Sequence, residues 1–220
     1  MAENEKKTKP HRLLLVILLI PIGAYLFREL VTTSTIWYFR IVDLADLVIM
    51  TPIYIAAILY LFFYMARSGA PFSLQLTFLL FAFVFITGQA MHFAANSINA
   101  YSTEVKDYQS LIPPDTYALI YFLDENLSHY ILFVAITGLL ICWFIFDHLA
   151  LAAPIILGHT PLLLVVSVVF ALVLAYSLIE ARAVRLLIPM MVILAGLWLW
   201  FWRRSALPFR KYLTDRPFTT

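Results

Sequence analysis

The chain contains apolar runs that are too long and too numerous for a water-soluble core. Residues 47–66, 72–91 and 130–146 carry no charged side chain at all. A helix crossing a bilayer needs about 20 mainly apolar residues, because a rise of about 1.5 Å per residue must cover roughly 30 Å of hydrocarbon. Six segments meet that demand: 13–27 with an added turn, 44–66, 72–98, 117–146, 162–179 and 183–202. Of 220 residues, 63% are hydrophobic and 13% charged, against roughly half and about a quarter in a soluble domain. The expected fold is all-α, a polytopic integral membrane bundle of six transmembrane helices. One domain, 13–202, is expected between two basic tails, 1–12 and 203–220.

The tails set the expected orientation. Lys6, Lys7, Lys9 and Arg12 precede the first span, and Arg203, Arg204, Arg210, Lys211 and Arg216 follow the last. Basic flanks stay on the cytoplasmic side, and an even number of spans places both there, N-in and C-in. Arg67, in the MARSGAP turn, falls on the same side. The loop 99–115, with Glu104, Asp107 and Asp115 against Lys106, then faces outward. Arg28, Arg40, Arg182 and Arg185 also fall outside and dilute the contrast.

The first apolar run lacks a small-x-small cleavage site after it, so it reads as an uncleaved helix rather than a signal peptide. Trp198, Trp200 and Trp202 beside Arg203 read as an interfacial aromatic anchor. Cys142 is the single cysteine; it cannot close an internal disulfide and reads as a small core residue. The net charge of +2, with no basic and aromatic soluble face, excludes a nucleic-acid partner. The lipid bilayer is the one partner the composition requires.

One span breaks the apolar pattern. In GQAMHFAANSINA, Gln89, His92, Asn96 and Asn99 are spaced by three, four and three, so a helix puts them on one face. Polar groups facing lipid are costly, so this face should look into protein or a water-filled cavity. The next span answers with YFLDENLSHYILF, where Glu125 and His129, and Asp124 and Ser128, are each four apart. Consecutive antiparallel helices bring His92 and His129 to similar depth. Asp43 and Asp46 at the start of the second span, and Tyr176, Glu180 and Arg182 at the end of the fifth, fall at the same level. The opposite halves of the spans are nearly clean of ionisable groups except Asp147, His148 and His159, which read as interfacial.

Three chemistries fit such a cluster. In the first, His92, Glu125 and His129 ligate a divalent metal, zinc or iron, with Asp46 or Asp124 completing the set. Asp124 or Asp46 would then act as general base, and Asn96 and Ser128 would orient groups around the ion. That reading implies a metal-dependent hydrolase or oxidoreductase acting on a lipid or lipid-soluble substrate. In the second, His92 and His129 are axial ligands of a b-type haem. In the third, the cluster is a ligand pocket, a transport site, or hydrogen-bonding glue between helices.

Overall fold

The computed structural model describes residues 35–37, 39–102, 112–149, 160–180 and 183–205, with isolated positions between 19 and 26. The described chain is predominantly helical. It opens on a short hairpin, β1 (Thr35–Ile36) and β2 (Phe39–Arg40), antiparallel with Thr35 opposite Arg40 and Ile36 opposite Phe39. Five helices follow: α1 (Ile41–Arg67), α2 (Phe72–Ala100), α3 (Pro114–His148), α4 (Thr160–Glu180) and α5 (Val184–Ser205). Among the described residues, four helical stretches are long and apolar enough to cross a bilayer: Ile41–Arg67, Phe72–Ala100, Pro114–His148 and Val184–Arg204. The expected segment 162–179 is helical within α4. Apart from isolated positions, the expected first span lies outside the described residues, as do the residues 1–12 and 206–220 of the basic tails.

Local chemistry sets the helix ends. Gly69, at φ 78°, takes the left-handed conformation that closes α1. Gly69 N–H donates to the Ala66 carbonyl and Ala70 N–H to the Met65 carbonyl, at 3.2 and 3.1 Å, the paired bonds of a Schellman termination. Pro71 then blocks continuation, and α2 begins one residue later, antiparallel to α1. At the start of α3, Pro113 and Pro114 preset φ for the first turn and remove a donor that would have had no partner there.

The three helices α1, α2 and α3 pack around a dry core at the end marked by Arg67, Phe72 and His148. Met65, Phe78 and Phe146 are fully buried, with Leu61, Leu74, Cys142 and Trp143 beside them. Trp143 meets Phe78 and Phe146 edge to face, with ring centroids 6.0 and 5.2 Å apart, the arrangement that aromatic quadrupoles favour. Gly138 lets α2 and α3 approach: a Cβ there would overlap the ring of Phe81. A smaller cluster of Phe133, Leu178 and Ala183 ties α4 to α3 at the opposite end. Outward, Leu76, Leu80 and Phe83 of α2 are 56–67% exposed. Apolar exposure of this kind is a liability in water and is compatible with an integral membrane protein.

Candidate functional site

The opposite end of the bundle departs from regular α-helix at several places among the described residues, including Tyr101 and Ser102 just after α2. Asp46–Met50 in α1 and Phe122–Ser128 in α3 are π-helical. A π-turn bonds residue i to i+5, widens the helix, and recurs at functional sites. In α3 the widened turn carries Asp124 and Ser128 into the interior, where both are essentially inaccessible to solvent. Ser128 Oγ donates to the Asp124 carbonyl, which satisfies the hydroxyl within its own helix.

Two polar networks result, and they divide the stripe on α2 between them. In the first, the Arg40 guanidinium grips the Asp43 carboxylate through Nε and Nη2, at 2.9 and 3.1 Å. Asn96 joins both partners: its Nδ2 donates to Asp43 at 2.9 Å, and its Oδ1 accepts from Arg40 at 3.0 Å. Phe39 stacks on Phe93 beside them, centroids 5.9 Å apart. Together these contacts pin the hairpin and the start of α1 to α2.

In the second network, Asn99 Nδ2 donates to Asp124 Oδ2 at 3.1 Å. The other oxygen of Asp124 lies 3.3 Å from His92 Nδ1, and Ser128 Oγ is 3.5 Å from the same nitrogen. Both distances are long for hydrogen bonds, and Asp124 Oδ1 has no hydrogen-bond partner among the described residues. His129 Nδ1 is 3.0 Å from the Glu125 carbonyl oxygen one turn back. The His92 and His129 rings meet with centroids 4.6 Å apart.

Behind these rings lies a cavity of about 370 Å³. Asp46, Tyr54, Gln89, His92 and His129 line its polar part, and α1, α2, α3 and α4 supply apolar walls. Since His92 Nδ1 faces Asp124, Nε2 is the nitrogen it offers to the cavity.

Of the residues expected to form a site, the structure brings His92, His129, Asp124 and Ser128 together, with Asp46 on the shared cavity. Asn96 is committed to Arg40 and Asp43 instead. Glu125 gives its backbone carbonyl to His129 and is not among the residues lining the cavity. Among the described residues, no three His, Cys, Asp or Glu side chains are disposed to hold a metal ion. The contacting rings of His92 and His129 leave no slot for a haem macrocycle between them. His148 stacks on Phe201 at the far end, centroids 4.3 Å apart. Glu180, Arg182 and His159 fall at positions whose side chains are not described.

Sequence reasoning left Arg40 as a loop charge and passed over Tyr54. The i, i+3 spacing of Arg40 and Asp43 was the available signal for the first. Tyr54, two turns after Asp46, could have been placed on the same face. The chain matches no family model, no curated protein and no solved structure.

Proposed function

We propose that the chain is a polytopic membrane protein of six spans, with both tails cytoplasmic and the polar end in the outer half of the bilayer. It acts on a lipid-soluble substrate held in the cavity. The observation that carries this reading is the His92–Asp124 pair at the polar part of an otherwise apolar cavity. His92 Nε2 is the general base, Asp124 holds the ring through Nδ1, and Asn99 holds Asp124. Asp124 is sealed from solvent, which strengthens the interactions it makes.

Lipid analysis of cells expressing the wild type, His92→Gln or Asp124→Asn tests the reading. One lipid class should change in the wild-type cells alone, while purified His92→Gln still carries the lipid that copurifies with wild type. Identical lipid profiles in all three, with no copurifying lipid, would overturn it.

A second reading is favoured by the ring nitrogens. Each Nδ1 has an oxygen within reach, which is how metal-bound imidazoles are commonly oriented. His92 and His129 would be the two protein ligands of a divalent metal such as zinc or iron, with no third His, Cys, Asp or Glu beside them among the described residues. When bound, such an ion lowers the pKa of its water to about 7 and supplies a nucleophile. Metal content of the purified wild type beside a His92→Ala/His129→Ala variant decides it. A stoichiometric metal lost in a folded variant supports the ion; no metal after reconstitution removes it.

A further inference from the structure

We propose that the cavity takes a single-chain amphiphile whose head donates hydrogen bonds and carries no negative charge, a long-chain amine or alcohol. This rests on the cavity being the ligand site and names the class of ligand.

The head assignment follows from which atoms carry protons. A backbone carbonyl only accepts, so the contact with Glu125 requires His129 Nδ1 to be the protonated nitrogen. In the neutral ring Nε2 is then an acceptor. Ser128 gives its one proton to the Asp124 carbonyl, so its oxygen accepts from His92 Nδ1 and sets the same tautomer in His92. Asp46 adds a carboxylate to the same lining, and no lysine or arginine is among the described residues that line it. Among the described residues, the polar part of the cavity therefore offers acceptors at Asp46, His92 and His129, groups that both accept and donate at Tyr54 and Gln89, and no cation. A fatty-acid carboxylate or a phosphate would be desolvated against a like charge, which is costly. An ammonium or hydroxyl head meets acceptors on several sides.

The chain assignment follows from shape. Leu132, Ile136, Leu139, Leu140 and Trp143 continue the cavity wall along α3 from His129. From His129 to Trp143 the helix rises about 21 Å at 1.5 Å per residue, room for an extended alkyl chain. The volume of about 370 Å³ is near the lower bound of roughly 300–1,000 Å³ for small-molecule pockets. That suits one alkyl chain.

The test uses the full-length protein in lipid nanodiscs, with empty nanodiscs subtracted. Radiolabelled hexadecylamine and hexadecanol should bind saturably and displace each other, and palmitate should compete about tenfold more weakly or worse, a difference of about 1.4 kcal/mol. Ile136→Trp, which fills the slot, should abolish binding of both labelled probes; Ala57→Trp blocks the facing wall if the first variant fails to fold. Asp46→Asn should narrow the preference for amine over palmitate by about tenfold. Palmitate binding as tightly as the amine overturns the head assignment and leaves the ligand cavity standing. Saturable binding that survives both tryptophan variants overturns the placement. No saturable binding by any of the three probes overturns this proposal and the ligand cavity beneath it.

Discussion

The two ends of the α2–α3 pair are built from different materials. At the end near Trp143 the helices are regular, the contacts are aromatic, and Phe78 and Phe146 are sealed from solvent. At the end near His92 both α1 and α3 widen into π-turns, the contacts are carboxylate, amide and imidazole, and a cavity opens. The first end gains from close aromatic packing; the second opens into the cavity, whose apolar wall continues along α3 to Trp143. Stability and site chemistry are thus separated along the length of the same two helices.

That separation can be broken by substitution, and the largest effect belongs to the dry end. Gly138→Leu forces a side chain into the ring of Phe81 and should abolish the monodisperse peak in detergent size-exclusion chromatography. Phe78→Ala leaves a void in the same core and should cost about 3–5 kcal/mol in denaturant unfolding. At the polar end, Arg40→Ala strands the buried Asp43 carboxylate. Its cost should be about 3 kcal/mol, since an unpaired buried charge is left behind; an equally stable variant would mean that Asn96 and water suffice.

Asp124→Asn should sharpen the contrast. It should cost only about 1–2 kcal/mol in stability, yet remove the lipid change attributed to His92. A large loss of folding with the lipid change retained would assign Asp124 to structure rather than to the site. The smallest effect is expected at the hairpin tip, where Trp37 is exposed with φ 56°. Trp37→Gly should raise stability by about 1 kcal/mol, because a non-glycine side chain in that region is strained.

The positions of the long helices were readable because spanning lipid leaves a run of apolar residues that no other role requires. The expected 72–98 became Phe72–Ala100 and 117–146 became Pro114–His148. The excess at the ends reflects proline and polar residues that hydropathy discounts but helix geometry accepts. The meeting of His92 with His129 was also readable, from helical spacing and antiparallel connection. The division of labour within the stripe was not. A period of 3.6 puts Asn96 and Asn99 on one face with His92, but that face meets two neighbours, and Arg40–Asp43 claims Asn96 while Asp124 claims Asn99. The π-turns left no signal at all, because a hydrogen bond to i+5 rather than i+4 is chosen by packing and not by residue type.

Those π-turns make the register of α3 part of its chemistry. Each turn of Phe122–Ser128 holds more residues than an α-turn would, so the helix before it and the helix after it are out of phase. Removing one residue from the segment, Leu127 for example, would let the strand of hydrogen bonds snap back to i+4. The helices on either side would keep nearly the same relative orientation, because the extra residue leaves together with the widening that absorbed it. Asp124 and Ser128 would instead lose the wide turn that carries them inward, although neither had been altered. The length of this segment, counted in residues, is as much a determinant of the site as the identity of any residue in it.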